Sequence, residues 1–434
     1  MFVAYVGPNR DGHDFIQQAY ELGSRVFFIS QAGRIPSILA YGSDVSVICV
    51  DHTEQDLVRF AQSYLAQFPL KRIALTGSVG KTTTKEMTAA VLSQKYRTVY
   101  TQGNLNTTLG QCLTAFQADK STQAIVFEMG MDRKGEIESY CRWIRPHIAM
   151  ITNVGTAHLE HLGTQEAIAH AKLEIATYLG PEDTLIVNSD SAYLSKAEVR
   201  NVMTGRFELL AVGTGCEADM ALEEIRAQGL SVHFRLENKT NGEKQEVALS
   251  VPGRHNAWNA ALAAACGIKL GVTLEQSAAA LETVRQTERR LSVSEAAGVT
   301  LIDDTYNAGP DSMRAALTVL SDLQGKRRIA VLADILELGS MREEGHKSVG
   351  RAVACVAPDI LLAVGENAAY YISGAQEAGF RGVSRLFRDS AQAFEWLKPK
   401  ISAGDVILVK GSNATGVSKV ACDIRTLIES EEDM

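Results

Sequence analysis

The sequence predicts an α/β protein of three domains: a small N-terminal α/β unit, a central parallel sheet, and a C-terminal Rossmann-like doubly wound domain. The chain has 434 residues, and a domain takes up about 150 residues. Short apolar, β-rich runs alternate with helical stretches along most of the chain, which is typical of parallel sheets with crossover helices. We place the domains at residues 1–69, 70–292 and 293–434.

Bulk composition excludes several classes of protein. The chain is 46% hydrophobic and 22% charged, as in ordinary globular domains. A net charge of −8 without a long run of like charge disfavours nucleic-acid and polybasic membrane partners. Because the N-terminus lacks a signal-peptide pattern and no apolar stretch is long enough for a span, we expect no membrane insertion. The seven scattered cysteines contain no CxxC pair, which indicates a reducing cytoplasm.

Apolar runs define the elements of the two outer units. In the N-terminal unit, strands are predicted at FVAYVG, RVFFIS and VSVICVD, and an amphipathic helix at DLVRFAQSYLAQF, which Pro69 closes. From about Val293 onward, four strands are predicted at VTLIDD, RIAVLAD, DILLAVG and DVILVKG, each followed by a helical stretch. We expect the acidic tail ESEEDM (429–434) to be a frayed end.

The central unit begins at Lys71. Buried parallel strands are predicted at RIALT, AIVFEMG, HIAMITNV and DTLIVNSD, with helices between them. Residues 207–251 break this rhythm, because short alternating strands flank Asn241-Gly242, a typical hairpin turn. An alanine-rich helix is predicted after Gly253, at NAWNAALAAACGIKLG.

A glycine-rich loop, TGSVGKTTT at 76–84, separates the first central strand from a helix. A phosphate-binding P-loop requires this context, because backbone N–H groups and the helix N-terminus then converge on phosphate oxygens. Lys81 would bridge the β- and γ-phosphates, and the Thr82 hydroxyl would ligate Mg²⁺. The strict motif has a glycine where this chain has Leu75, so a simple glycine turn is the alternative. On the first interpretation, the central sheet is P-loop ATPase-like.

Two candidate ligands follow other central strands. Glu128 ends the strand AIVFEMG, and His158 follows the strand HIAMITNV. Doubly wound sheets bind ligands at the carboxyl ends of their strands, so this carboxylate and imidazole could hold a second divalent ion. The alternative for each is a strand-end cap.

Polar residues on two predicted helices need an explanation. Lys172 shares a helical face with Ile168 and Ile175, where an ammonium is costly. Snorkelling is one explanation, and a modified or metal-associated lysine near the phosphates is the other. Asn256 and Asn259 lie on one face of an Ala/Leu helix and need partners, which either a purine or ribose, or another helix, could supply.

Together these segments resemble the Mur ligase family, the ATP-dependent amide ligases of peptidoglycan precursor assembly, over nearly the whole chain. The motifs occur in this order: DGHDF (11–15), TGSVGKTTTKEM (76–87), GNLNTTLG (103–110), EMGMDRKGEI (128–137), TNVGTAHLEHLG (152–163), AKLEI (171–175), PGRHNAWNA (252–260), DDTYNAGPDSMRAAL (303–317), ADILELG (333–339) and LVKGS (408–412). Within the family, DGHDF and DDTYNAGPDSM resemble the motifs of the branch that joins D-alanyl-D-alanine to UDP-N-acetylmuramoyl-tripeptide.

The resemblance implies site residues, position by position. Catalysis would involve Lys81, Glu128, His158 and Lys172. Thr82, Glu128 and His158 would ligate two Mg²⁺ ions, and Lys172 matches the family's carbamylated lysine. ATP binding is implied for Gly77, Ser78, Gly80, Lys81, Thr82, Thr83, Asn256, Arg290 and Asp304. Substrate binding is implied for Asn104, Asn106, Tyr306, Asn307 and Lys410.

The resemblance also implies what each domain binds. The N-terminal domain would hold the UDP-sugar, the central domain ATP, and the C-terminal domain the amine substrate. The partners would thus be small molecules, namely a nucleotide-sugar peptide and a dipeptide. We expect the enzyme to be a cytoplasmic monomer.

Three departures from the family pattern keep alternatives open. The family's first domain begins earlier, with a Ser/Thr-Asp-Ser-Arg segment that helps to bind uridine, so we expect weakened uridine recognition. Asn413 stands where the branch has arginine in Lys-Gly-Ser-Arg, and Arg289-Arg290 replaces the usual Gly-Arg. One alternative is a paralogue that forms an amide on a non-UDP carboxylate, such as a cofactor or natural-product precursor. Another is a nucleotide-binding scaffold without ligase turnover.

Overall fold

The computed structural model describes residues 1–7 and 9–432, and it contains three β-sheets. The α/β fold class is confirmed. The sheets follow the three predicted ranges, except that the third sheet begins one residue earlier, at Ser292. In the described part of the chain, no helix is long and apolar enough to cross a membrane. The tail expected to fray is helical as far as Glu432, and residues 433–434 lie outside the described residues.

The first sheet is small and parallel throughout, with the order β1-β2-β3. Its strands are β1 (Phe2–Val3), β2 (Val26–Ile29) and β3 (Ser46–Cys49), and its helices are α1 (Ile16–Glu21), α2 (Ile35–Leu39) and α3 (Thr53–Leu65). Phe27 and Ile29 face a small core of their own. Phe28 points to the opposite side, where it joins Leu57 of α3 in a core shared with the central unit.

The second sheet has nine strands in the order β12-β11-β10-β9-β8-β7-β4-β6-β5. They are β4 (Lys71–Thr76), β5 (Thr98–Tyr100), β6 (Ala124–Glu128), β7 (Ile148–Ile151), β8 (Thr184–Asn188), β9 (Glu208–Gly213), β10 (Met220–Gln228), β11 (Ser231–Asn238) and β12 (Glu243–Leu249). Pairing is parallel from β5 to β10 and antiparallel from β10 to β12. The hairpin predicted at Asn241-Gly242 is confirmed.

Helices cover both faces of this second sheet, and a separate apolar core fills each face. The helices are α4 (Lys81–Leu92), α5 (Thr108–Ala115), α6 (Glu136–Ile144), α7 (Leu159–Leu162), α8 (Gln165–Leu173), α9 (Lys196–Val202), α10 (Asn256–Lys269) and α11 (Leu274–Thr283). Tyr64 of α3 packs edge-on against Phe116 at the end of α5, with 5.6 Å between ring centroids. This aromatic contact fastens the N-terminal unit to the central one.

The third sheet has six strands in the order β13-β14-β18-β15-β16-β17, all parallel except β13. The strands are β13 (Ser292–Ala296), β14 (Val299–Asp304), β15 (Arg327–Ala333), β16 (Ile360–Val364), β17 (Val383–Phe387) and β18 (Asp405–Lys410). The helices are α12 (Pro310–Asp322), α13 (Arg342–Val356), α14 (Ala369–Glu377), α15 (Ser390–Leu397) and α16 (Ser418–Glu432).

The four strands predicted for the third sheet are present, and β13 and β17 are additional. Both lie at the edges of the sheet, and most of their side chains are exposed or half-buried. Sequence periodicity misses them because an edge strand needs no continuous apolar run.

Candidate active site

A cavity of about 930 Å³ lies between the three sheets, and all three units contribute to its lining. Every site residue selected from the sequence lines this cavity except Gly77 and Lys172. Tyr5 and Glu54 reach it from the N-terminal unit, and Arg290 reaches it from the linker between α11 and β13. Residues that lie far apart in the sequence are therefore brought together at one site.

The glycine-rich loop forms one wall of the cavity, between Thr76 at the end of β4 and Lys81 at the start of α4. Gly80 has a φ of +81°, and a Cβ there would approach Asn259 Oδ1 to 2.6 Å, so this position requires glycine. Lys81 Nζ donates a hydrogen bond to the carbonyl oxygen of Gly77 at 2.8 Å. Burial lowers the pKa of the Lys81 ammonium. That this loop is a P-loop stays a prediction.

Two residues that sequence reasoning missed support this loop. Asn153 Oδ1 accepts hydrogen bonds from the backbone N–H groups of Ser78 and Val79, at 3.1 and 3.0 Å. Thr152 Oγ1 donates to the carbonyl oxygen of Val79 at 2.6 Å. Both follow β7 at the carboxyl edge of the sheet, and that position is the signal that could have identified them.

Glu128 lies buried at the end of β6. Its Oε1 accepts hydrogen bonds from Thr82 Oγ1 at 3.3 Å and Asn106 Nδ2 at 3.1 Å. Its Oε2 has no hydrogen-bond partner among the described residues, and Lys85 Nζ lies 3.7 Å away. Asn104, in the same loop as Asn106, is exposed at the cavity wall. An unpartnered buried carboxylate oxygen beside the Thr82 hydroxyl fits a hard cation such as Mg²⁺.

His158 is a second potential ligand on the other side of the loop. Its backbone has a φ of +67°, and its Nδ1 is buried without a hydrogen-bond partner among the described residues. Burial, together with the cations of Lys172 and Lys81, lowers the pKa of His158 to about 4. The ring is therefore neutral near pH 7 and keeps a lone pair for a metal ion. Asp132 Oδ1 lies 3.4 Å from that nitrogen.

These ligands do not form a ready-made metal cage. In the described ranges, no three His, Cys, Asp or Glu side chains cluster closely enough to hold a metal ion. Any Mg²⁺ bound at Glu128 or His158 would have to complete its coordination with Thr82, water or phosphate oxygens. Such sharing is usual for Mg²⁺ in nucleotide sites.

Lys172 on α8 faces inward, as its helical phase predicts, and is only 1% exposed. The snorkelling alternative is wrong, because an ammonium that reached water would be more exposed than this. Burial and the nearby Lys81 cation lower the pKa of Lys172 well below its usual value. The environment therefore opposes a positive charge at this position.

Asn256 and Asn259 make hydrogen bonds inside the protein. Asn256 Nδ2 donates to Pro252 O at 2.7 Å, and Asn259 Nδ2 donates to Asn256 Oδ1 at 2.8 Å. Thr84 Oγ1 on α4 donates to Asn259 Oδ1 at 3.1 Å, so the inter-helix alternative is correct for Asn259. Asn256 also lines the cavity, and its contact with adenine stays a prediction.

The linker and the third sheet supply the opposite wall. The Arg290 guanidinium lies over the Tyr306 ring, 3.9 Å from its centroid. The buried Lys410 Nζ donates to Asp304 Oδ2 at 2.6 Å and to Asn307 O at 2.9 Å. These polar groups partner one another in this structure, and their roles toward nucleotide and substrate stay predictions.

The two unusual positions, Arg289 in the linker before β13 and Asn413 in the C-terminal unit, contact each other. Arg289 has a left-handed φ of +59°, which explains why a glycine suits this position. Its guanidinium donates to Asn413 Oδ1 at 2.7 Å, to Thr305 O at 2.7 Å and to Thr305 Oγ1 at 3.1 Å. The Arg289 guanidinium therefore lies beside position 413, where the family branch usually has an arginine and this chain has Asn413.

Three acidic residues that were not selected from the sequence also line the cavity. Asp311 on α12 and Glu337 in the loop after β15 line it, together with Asp132. Each lies within a family motif, Asp132 in EMGMDRKGEI, Asp311 in DDTYNAGPDSMRAAL and Glu337 in ADILELG, but the motifs implied no site role for it. The packing of the three units places it at the cavity.

The glycine-rich loop lies at the carboxyl edge of a parallel sheet and faces a cavity shared by three α/β units. This arrangement is typical of the class of multidomain P-loop proteins whose site lies between domains. Comparison with known proteins identifies the family. The Mur ligase middle domain family matches residues 75–267, and the family described as Mur ligase, glutamate ligase domain, matches residues 289–413. The chain belongs to the Mur ligase family.

Individual relatives match over nearly their whole length. The chain is 33% identical to the UDP-N-acetylmuramoyl-tripeptide–D-alanyl-D-alanine ligase of Bacillus subtilis, covering 99% of this chain and 90% of that protein. It is 34% identical to the Escherichia coli protein of the same name, covering 99% and 91%. A crystal structure of MurF from Acinetobacter baumannii superposes with a TM-score of 0.87 at 32% identity, covering 98% and 90%. MurF from Thermotoga maritima, in complex with ADP, gives 0.83 at 27% identity, covering 99% and 95%.

Proposed function

We propose that this chain is an ATP-dependent amide ligase that joins D-alanyl-D-alanine to UDP-N-acetylmuramoyl-tripeptide, with release of ADP and phosphate. The observation that carries the proposal is the single cavity lined by the glycine-rich loop, the N-terminal unit and the C-terminal unit. Three reactants need such a meeting point. The names of the Bacillus and Escherichia relatives support this pair of substrates, and the product would enter cell-wall synthesis.

The reaction has two steps. A carboxylate oxygen of the tripeptide attacks the γ-phosphorus of ATP, and the bond from the γ-phosphorus to the bridging oxygen of the β-phosphate breaks. The products of this step are an acyl phosphate and ADP. The amine of the dipeptide then attacks the acyl carbon, loses a proton, and expels phosphate. Both steps bring anionic groups together, so positive charge fixed in the site lowers the barrier. Lys81 supplies such a charge at the glycine-rich loop.

The nucleotide would lie between the central and C-terminal units. Its phosphates would contact the loop through Gly77, Ser78, Gly80, Lys81, Thr82 and Thr83. Asn256 would meet adenine, and Arg290 and Asp304 would close over the nucleotide from the linker and third sheet. The shared cavity supports this placement, and the ADP complex of the Thermotoga relative supports nucleotide binding.

Two Mg²⁺ ions would be held by Thr82 and Glu128 on one side and by His158 on the other. When bound, they neutralise phosphate charge. The unpartnered Glu128 Oε2 and His158 Nδ1 support this assignment. Carbamylation of Lys172 would turn a disfavoured buried cation into an anion that faces Lys81 and His158.

The three predicted domains would divide the substrates between them. Residues 1–69 would bind the UDP-sugar, residues 70–292 ATP, and residues 293–434 the dipeptide. Asn104 and Asn106 would contact the tripeptide end, and Tyr306, Asn307 and Lys410 the amine side. We further propose a cytoplasmic monomer, and the seven free cysteines support the cytoplasmic location.

Phosphate release by the purified chain tests this function. The assay combines ATP, Mg²⁺, UDP-N-acetylmuramoyl-tripeptide and D-alanyl-D-alanine, and omits one component at a time. We expect release only when all four are present. Release with another carboxylate in place of the UDP-tripeptide would favour the paralogue, and no release with any pair would favour a scaffold.

A further inference from the structure

Thr156, in the loop between β7 and α7 (residues 152–158), contacts the C-terminal unit. The Thr156 backbone N–H and the Thr156 hydroxyl both donate hydrogen bonds to Asp311 Oδ2, at 2.8 and 3.0 Å. Asp311 lies in the first turn of α12 in the third unit. One carboxylate oxygen thus ties the C-terminal unit to a loop of the central unit.

The glycine-rich loop contacts the 152–158 loop on its other side. The Gly155 backbone N–H donates to Ser78 Oγ at 2.9 Å. A Cβ at Gly155 would collide with Asp311 Oδ2 and come within 3.2 Å of Ser78 Cβ, so only glycine allows this approach. The loop is therefore clamped between the glycine-rich loop and α12.

His158 lies two residues beyond Thr156, and its backbone is left-handed, with a φ of +67°. A left-handed conformation is uncommon for a residue with a Cβ and persists only where its surroundings hold it. The next element, α7, is a single turn of four residues and supplies little stability of its own. The contacts at Gly155 and Thr156 restrain the backbone on the N-terminal side of His158. On its other side, α7 packs against residues 339–341 of the C-terminal unit.

The contacts of Asp311 within its own helix do not explain why its second carboxylate oxygen contacts Thr156. Its Oδ1 pairs with Arg314 one turn later, as an acidic residue at a helix N-terminus commonly does. That ion pair uses one oxygen. The other oxygen points across the cavity boundary to Thr156, which is 155 positions away in the sequence.

We propose that Asp311 is a positioning residue that fixes the His158 loop only when the C-terminal unit is docked on the central unit. Docking then brings the amine-side domain into place and sets the imidazole in the same event. The coupling rests on the proposed function, because it presumes that His158 serves the phosphoryl step. It predicts that loss of the Asp311 contact impairs turnover more than nucleotide binding.

The chain offers a matched control on the same helix. Asp322, at the far end of α12, pairs with Arg254 of the central unit at 3.3 Å. This contact also joins the two units but does not touch the His158 loop. Asp311→Ala and Asp322→Ala therefore each remove one carboxylate that bridges the units, and only the first releases the loop.

We would measure kcat, the KM for ATP and backbone hydrogen exchange of residues 153–163 in both variants. Misplacement of a catalytic group by about 1 Å costs up to about 10²-fold, so Asp311→Ala should lower kcat by roughly ten- to a hundredfold with the KM for ATP changed by less than about threefold. Exchange in the loop should accelerate in Asp311→Ala and stay at the wild-type rate in Asp322→Ala.

Equal kcat and equal loop exchange in the two variants would overturn the proposal. Hydrogen exchange needs no substrate, so it tests the clamp even if the wild-type chain releases no phosphate and the proposed function fails. If Asp311→Ala does not fold cooperatively, Asp311→Asn replaces it. The amide has one acceptor oxygen for two sets of donors, Thr156 and Arg314, so the contact to Thr156 is weakened. Faster loop exchange than in Asp322→Asn would still be required.

Discussion

Arg289 combines a backbone cost and a side-chain gain that substitutions can separate. A left-handed backbone costs a residue with a Cβ about 1–2 kcal/mol and costs glycine almost nothing. Against this, the guanidinium donates three hydrogen bonds to Thr305 and Asn413. Such bonds from a charged donor contribute about 1.5–3 kcal/mol when buried, and less at a half-buried residue such as this one.

From these terms we expect Arg289→Ala to lose the hydrogen bonds, keep the strained backbone, and destabilise the C-terminal unit by about 2 kcal/mol. Arg289→Gly loses the same bonds but relieves the backbone, so it should be about 1 kcal/mol more stable than the alanine variant. Asn413→Ala removes one acceptor and should cost about 1 kcal/mol alone. In the Arg289→Ala background, the same change at Asn413 should cost almost nothing, because its partner is already gone.

Differential scanning calorimetry of the wild type, the three single variants and the double variant provides the measurement. A difference of 1 kcal/mol moves Tm by about 2–4 °C in a domain of roughly 150–250 residues. We therefore expect the order wild type, Arg289→Gly, Arg289→Ala, from most to least stable. Equal Tm values for the glycine and alanine variants would refute the strain argument. Additive effects of Arg289→Ala and Asn413→Ala would refute the contact between them.

Three further predictions concern the site and the C-terminal unit. Lys81→Ala should reduce turnover by about 10²–10³-fold in the phosphate-release assay, because one fixed charge beside the transferring phosphate is lost; near wild-type rates would mean that this loop is not the phosphate site. Lys172→Ala should be inactive and partly rescued by small carboxylates that replace the carbamate, whereas an unmodified ammonium in a high-resolution map of an active enzyme would contradict carbamylation. Burial lowers the pKa of His346, whose Nε2 accepts from the Ile335 N–H at 3.1 Å. The unfolded state then binds more protons below about pH 6.5, so the C-terminal unit should lose stability as pH falls from there through the folded pKa, and His346→Gln should flatten this acid dependence in thermal melts.

Local patterns carry most of the information that the sequence provided. The glycine-rich loop is recognisable because its chemistry lies within nine consecutive residues. Lys172 is recognisable because it is a charged residue on the apolar face of its own helix. The family motifs place residues such as Asp304 and Tyr306 in the site although nothing local reveals their role. The structure then brings them to the cavity.

Long-range contacts could not be predicted in this way. Asn153 accepts a hydrogen bond from the glycine-rich loop, 75 positions away in the sequence, and Asp311 accepts one from Thr156, 155 positions away. Asp311 also pairs with Arg314 in its own helix, and nothing in the local sequence of either residue indicates its distant contact. Edge strands such as β17 are missed for a different reason, since their side chains are partly solvated and lack an apolar pattern.

The strand order of the third sheet bears on how the chain folds as it is synthesised. β18, the last strand of the chain, lies between β14 and β15, so the middle of that sheet is filled by residues 405–410. Until those residues leave the ribosome, β14 and β15 each present an unpaired edge, and edges of this kind invite pairing with other chains. The N-terminal and central sheets can form during translation, whereas the third must wait for its final strand. Nascent chains stalled just before residue 405 should therefore depend on chaperones that shield these two strands.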